Sequence, residues 1–261
     1  MALILKLEVG IWSWRLEYPW LTLFRSVVGG SSYIAFYMSI VSLPLATATT
    51  VFFIAPILVT VLSIFVFKEQ VGPRRWMAVL VGFAGVIVII NPAKGISDPA
   101  VFLALYAAVA YAVVVMITRH IGRAQSAISM AINSMLVYFV VAGACGLLFG
   151  GGELAYTGNP NLEFLLRGWV MPSSADLLLL LICSTLASVG FYGITMAYQY
   201  AEVSFIAPFE YLMMPLSVLW GYLIWSEMPP VTTYLGIALI ITSGMYVLHR
   251  DNRLKQQQVS A

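Results

Sequence analysis

Residues 43–91 run L-P-L-A-T-A-T-T-V-F-F-I-A-P-I-L-V-T-V-L-S-I-F-V-F-K-E-Q-V-G-P-R-R-W-M-A-V-L-V-G-F-A-G-V-I-V-I-I-N. An apolar run is followed by a charged turn at Lys68, Glu69, Arg74 and Arg75, and then by a second apolar run. Each run is about long enough to cross a bilayer core of ~30 Å as a helix. The stretch is a transmembrane hairpin with a positively charged tip.

The whole chain has the same character. Its 261 residues are 61% hydrophobic and 9% charged, against a charged share of about 25% in soluble domains. A water-soluble fold would lack the polar surface to cover itself. The strand alternation of a membrane barrel is absent, so the fold class is all-α, a polytopic helical membrane protein. The net charge of +2 is too small to point to nucleic acid. Cys145 and Cys183 fall inside apolar runs, where buried packing is expected rather than a disulfide or a metal site.

Residues 1–5 read as the remnant of a helix, and 6–20 as a mixed aromatic and charged cytoplasmic segment at the membrane surface. Eight spanning helices are expected at about 22–42, 45–67, 75–91, 99–118, 127–149, 176–199, 203–225 and 231–249. Loops assigned alternately to the two sides collect eleven Lys and Arg residues on one side, and only Lys94 and Arg167 on the other. The rich side, which holds Arg25, the 68–75 turn and the C-terminus, is therefore read as cytoplasmic. The long connection 150–175 has two open readings: a short interfacial helix at 161–170, with Trp169 at headgroup level, or a plain loop. The polar tail 250–261 is expected to be disordered and to lie near anionic lipid.

Residues 203–249 echo the opening hairpin. Pro56 and Pro215 lie inside the first helix of each copy, Glu69 and Glu227 close it 13 and 12 residues later, and Gly85 and Gly244 follow after 16 and 17 more. The first turn carries three positive residues and the second none, so the copies are read as inverted across the membrane. Inverted repeats suit alternating access, because exchanging the conformations of two equivalent halves turns an inward-facing cavity outward.

The strings L-P-L-A-T-A, A-P-I-L-V, F-K-E, G-P-R-R-W and G-F-A-G-V-I-V-I-I-N-P, with the later A-P-F-E-Y and W-G-Y-L-I-W-S-E, resemble EamA-type transporters of the drug/metabolite transporter superfamily. The resemblance runs from Arg15 to about Leu248, and it includes a likeness to the bacterial riboflavin-transporter subgroup. It implies two inverted five-helix repeats, ten helices in all, with both termini cytoplasmic. Residues 1–92 would be an incomplete first EamA repeat, 98–249 a second repeat and 250–261 a cytoplasmic tail. The first helix and nearly all of the second are then missing at the front, which puts transport by this form in question.

Among candidate functional residues, Glu210 stands out. It lies seven residues into its expected helix, about 10 Å of rise, and a carboxylate at that depth calls for a wet cavity or a partner. It is either a substrate-contacting or proton-accepting group, with Tyr211 beside it as a further substrate-contacting candidate, or a carboxyl hydrogen-bonded for structure to a tyrosine. Tyr33 and Tyr37, Thr49 and Phe53, and Tyr192 and Met196 are each one helical turn apart. Flat rings with hydroxyls would suit a planar substrate, and ordinary packing would use them equally well. Asn133 and Ser134 would contact substrate or bond between helices.

Pro56, Pro208 and Pro215 are candidate helix breaks and gates. Lys68, Glu69, Arg74, Arg75 and Glu227 are read as structural charge at helix ends. Gly146 with Gly150, and Ser217 with Gly221, are small-residue pairs that would allow helix packing or a homodimer contact. His120 and His249 lack metal-ligand spacing, and the sequence holds no catalytic, cofactor or nucleotide motif. An intramembrane enzyme is disfavoured on that ground.

The function expected is secondary-active transport of a small organic metabolite across a bacterial-type inner membrane, with lipid and the small-molecule substrate as partners. A vitamin or an amino-acid derivative would qualify. The alternative is a non-transporting membrane scaffold or a truncated, inactive carrier.

Overall fold

The computed structural model describes residues 17–67, 73–90, 98–122, 124–153, 158–200 and 211–259. Ten helices are found there: α1 Pro19–Ser42, α2 Leu45–Phe52, α3 Ala55–Phe67, α4 Pro73–Ile90, α5 Ala100–Ile121, α6 Ala127–Phe149, α7 Pro160–Leu166, α8 Ser174–Tyr200, α9 Met213–Trp225 and α10 Val231–Val259. The all-helical fold expected from the composition is present. Among the described residues three helices are long and apolar enough to cross a membrane, at Ala100–Ile121, Ile128–Phe149 and Ser174–Ile194, and four shorter apolar helices accompany them.

Local chemistry sets the helix starts. The Asp98 side chain accepts the Ala100 N–H at 2.8 Å ahead of α5, and Ser126 accepts the Ser129 N–H at 3.2 Å at the start of α6. At α8, Ser173 Oγ accepts the Asp176 N–H at 3.2 Å while Asp176 Oδ2 accepts the Ser173 N–H at 2.9 Å. This reciprocal pair satisfies two of the donors that a helix start leaves open.

The run expected as one helix at 45–67 is two. Pro56 has no N–H to give the Phe52 carbonyl, and its ring crowds that carbonyl. The ladder therefore breaks at Phe53 and Ile54, where the Ile54 N–H turns to Val51 O at 3.3 Å. Pro215 is the third residue of α9, inside the first turn, where a missing N–H costs nothing. The tail expected to be disordered instead continues α10 to Val259. No glycine or proline interrupts 250–259, and its Leu, Lys, Arg and Gln residues favour helix.

The chain forms two compact units: Met1–Gly30 with Ile117–Ala201, and Ser31–Met116 with Glu202–Ala261. In the first, α6 packs on α8. The most apolar window of α8 has no buried residue. Cys183 on that helix is exposed and Cys145 is half-buried, which corrects the expectation of buried cysteines. Apolar character marks lipid contact as readily as protein contact. A short helix, α7, does form in the long connection 150–175, and after it Trp169 folds back. Its N–H donates to Gly150 O at 2.9 Å, and a Cβ on Gly146 would fall inside its indole ring. Gly146 and Gly150 thus receive a tryptophan of their own chain.

The second unit holds the main core, built on Val51, Ile54, Ile57, Val86, Met214 and Ile240. Here the two hairpins meet. α9 packs on α2, and α10 packs on α4 in the most extensive helix contact among the described residues. The α4–α10 crossing is set by glycine. A Cβ on Gly85 would meet Ile240 at 3.0 Å and Gly236 O at 3.3 Å, and one on Gly236 would meet Ile89 at 2.4 Å and Gly85 O at 3.1 Å.

Alanine in place of a helical glycine ordinarily stabilises by up to about 1 kcal/mol. At Gly143, where an added Cβ meets nothing within 4 Å, that gain is expected. Gly85→Val and Gly236→Val are expected to overpack the crossing and lose ~1–3 kcal/mol. Thermal unfolding in detergent would show the opposite signs; a neutral Gly236→Val would refute the tight crossing.

Candidate substrate site

The break before Pro56 also positions side chains. α2 ends at Phe52 and the turn follows at Phe53 and Ile54, so two consecutive rings lie at the interruption, inside the second unit. Phe52 meets Phe36 of α1 edge-on at 5.3 Å between centroids and Tyr111 of α5 at 5.4 Å. Phe53 lies 5.8 Å from Phe52 and 6.3 Å from Tyr211. Tyr37 adds an edge contact to Phe36 at 6.3 Å. Six rings thus form one connected ladder centred on the helix break.

Its ends carry phenol groups. Tyr211 is 4% exposed and Phe53 is buried, whereas Tyr37 is 53% exposed. The ladder therefore grades from core to surface, and an added flat ring can extend it by offset or edge contacts of the kind already made. Nearby hydroxyls are tied into the backbone: Thr49 donates to Leu45 O at 2.7 Å and Thr50 to Ala46 O at 2.6 Å. Thr47 and Thr233 join across the two hairpins at 3.1 Å.

Of the residues singled out in the sequence, the second unit brings together Tyr33, Tyr37, Thr49, Phe53 and Tyr211. Phe53 and Tyr211 are in direct ring contact, Tyr37 joins through Phe36, and the Tyr33 side chain is exposed. Thr49 uses its hydroxyl within its own helix. Asn133 and Tyr192 belong to the other unit. Glu210, Pro208, Lys68 and Glu69 lie outside the described residues, as do the side chains of Arg74 and Arg75. Glu227 is exposed beyond α9, where its N–H donates to Gly221 O at 3.2 Å. Phe36, Phe52 and Tyr111 were missed. The Phe52-Phe53 pair three residues before Pro56 was the available signal, since a proline there must end the helix at those rings.

A second group, in the first unit, joins Asn133 and Ser134, singled out in the sequence, to Arg25, which was not expected as a site residue. Arg25 is 4% exposed; its Nε donates to Thr118 Oγ1 at 2.6 Å and one terminal nitrogen to Ser134 Oγ at 2.8 Å. Ser134 and Ser26 hydroxyls are 3.0 Å apart, and Ser26 also lies 3.0 Å from Asn133 Oδ1. Asn133 and Ser134 therefore do bond between helices. Arg25 does not sit in a surface loop, and it drops out of the basic tally made from the sequence. Its place as the lone charged residue of α1 was the signal.

A model of the EamA-like transporter family matches residues 1–91 and 98–248. The chain belongs to that family. Among its relatives, a riboflavin transporter from Rhizobium johnstonii is 24% identical over 250 residues, which cover 96% of this chain and 77% of the relative. An S-adenosylmethionine uptake transporter from Rickettsia prowazekii is 25% identical over 210 residues, covering 80% of this chain; the match spans 65% of the relative's length. A protein of known crystal structure shares the fold at a TM-score of 0.64 and 21% identity, over 95% of this chain and 81% of its own. Family membership places the chain among multi-pass membrane transporters of small molecules, not among enzymes.

Phe52 is the hub of the ladder, with three ring neighbours. Phe52→Leu keeps apolar volume and loses the ring contacts, each worth about 0.5–1.5 kcal/mol. A loss of roughly 1–3 kcal/mol by thermal unfolding is expected, while Tyr37→Leu at the exposed end is expected to change stability by less than about 0.5 kcal/mol. Equal losses would show that the rings do not act as a ladder.

Proposed function

We propose that this EamA protein is a secondary-active carrier of a small metabolite bearing a flat ring, seated in a bacterial inner membrane with its C-terminus cytoplasmic. It works by alternating access between two inverted repeats. The observation that carries the substrate class is the ring ladder at the Pro56 break, where stacking surface and a helix interruption coincide. The names of the relatives agree with it, since riboflavin and S-adenosylmethionine both contain fused heteroaromatic rings. The break supplies the second requirement, a backbone that bends without unmaking a regular helix. Orientation rests on the charge bias of the loops, and inversion on the opposite bias of the two turns.

Glu210 is proposed as the proton-accepting group. It precedes the buried Tyr211 directly in the chain, and a carboxylate next to a core position within an apolar run is expensive without a function.

Uptake of radiolabelled riboflavin and of S-adenosylmethionine into proteoliposomes tests the proposal. Wild-type protein is expected to accumulate at least one of them when a proton gradient is imposed. Phe52→Leu is expected to raise KM about tenfold, the equivalent of 1.4 kcal/mol of binding. Glu210→Gln is expected to abolish stimulation by the gradient while leaving exchange across the membrane intact. Uptake of both compounds no faster than in protein-free vesicles would favour the non-transporting scaffold. Unchanged stimulation in Glu210→Gln would remove the coupling role.

A further inference from the structure

The connection between α6 and α8, in the first unit, separates its polar and apolar groups along the chain. Its earlier part holds Glu153, Asn159 and Glu163 and bonds within itself: Glu163 Oε1 accepts the Gly158 N–H at 3.0 Å, and Asn159 Oδ1 accepts the Asn161 N–H at 3.0 Å. Gly152 and Gly158 supply left-handed turns, at φ 74° and 69°. Its later part ends on Trp169, Val170 and Met171, whose side chains are 70–93% exposed. Large apolar groups left bare together mark an interaction surface.

That apolar end does not project away from the helices. The Trp169 N–H donates to Gly150 O at 2.9 Å, a Cβ on Gly150 would meet the indole at 3.4 Å, and one on Gly146 would fall inside it. The connection also closes at its neck, where a Cβ on Gly152 would stand 3.0 Å from the Gly168 nitrogen. The indole therefore lies back along α6, about 5 Å of rise inside the helix end. Leu147 and Leu148, in the same turn of α6, are exposed as well.

The helices that it joins decide what covers this surface. Both α6 and α8 are long and apolar enough to cross a membrane; only 6% of the most apolar window of α6 is buried, and none of that of α8. The exposed residues thus continue a flank whose apolar side chains already call for lipid. A tryptophan suits the level where tails give way to headgroups, because its ring is apolar and its N–H polar. Charge narrows the lipid further. Residues 150–176 hold three acidic residues and one arginine, a balance that disfavours anionic headgroups.

We propose that Trp169, Val170 and Met171 form a lipid anchor, seated among zwitterionic phospholipids at the level of the last turn of α6. The part that holds Glu153, Asn159 and Glu163 stands in water. The anchor rests on family membership and on the contacts of α6, so the outcome of uptake assays does not bear on it.

The test uses the full chain with Cys145→Ala and Cys183→Ala, reconstituted in phosphatidylcholine vesicles. A nitroxide attached at Val170→Cys or Met171→Cys is expected to collide more often with oxygen, which collects among lipid tails, than with a water-soluble nickel chelate. At Gly151→Cys the order is expected to reverse. Preference for the chelate at both 170 and 171 would overturn the proposal. So would few collisions with either reagent, the result if a second copy of the chain covered the surface.

Trp169→Ala is expected to raise chelate collisions at Met171→Cys, and Trp169→Phe to raise them less. A nitroxide at Leu186→Cys, on exposed α8, reports in the same variants whether the span is still inserted. Unchanged collisions at Met171→Cys in an inserted Trp169→Ala chain would overturn the anchoring role of the indole. Adding phosphatidylglycerol is expected to leave the oxygen preference unchanged; a preference that appears only with it would refute the zwitterionic assignment.

Discussion

The fold depends on how closely α4 and α10 can approach. At Gly85 and Gly236 the facing backbones come so close that an added Cβ would lie 3.3 and 3.1 Å from the carbonyl oxygen of the other helix. In a bilayer the hydrophobic effect does little to hold helices together, since lipid tails are as apolar as the side chains they would replace. What remains is dispersion and shape, and both need small residues at the crossing. Ile89 and Ile240 pack beside the glycines and convert close approach into a core.

Everything in the second unit is arranged around that contact. With α4 and α10 joined, α9 lies on α2, and Thr47 reaches Thr233. Tyr211 is thereby brought to Phe53, and the ring ladder extends through Phe52 to Phe36 and Tyr111. Pro56 has a local effect with a distant result. It forbids one backbone hydrogen bond, ends a helix at two phenylalanines and leaves their rings on the packing surface. The proposed substrate site combines the two features found there: stacking area beside a place where the backbone already bends.

The first unit solves a different problem. Its helices carry hydroxyl and amide groups inside the membrane-spanning region, and most of the named ones find partners on a neighbouring helix. Arg25 is accommodated by that polar network, in which Ser26, Asn133 and Ser134 each bond across helices. Trp169 performs the complementary task at the end of α6, laying a large ring over Gly146 so that the connection after α6 is held by the chain itself.

Much of the architecture was legible without coordinates. Length and hydropathy of the apolar runs are properties of short segments, so they identify the membrane class and most of the described helices. The motif strings carried the family. The sequence did not show which face of each helix meets protein. Cys183 was expected to be buried and is exposed, and Arg25 was counted with the surface charges and is buried. Phe36, Phe52 and Tyr111 looked like ordinary apolar positions. The reason is physical: lipid and protein interior are nearly equivalent solvents for an apolar side chain, so hydropathy is the same on both faces. Only the packing of helices distant in sequence, decided by steric fit at glycines and by hydrogen bonds between spans, distinguishes them.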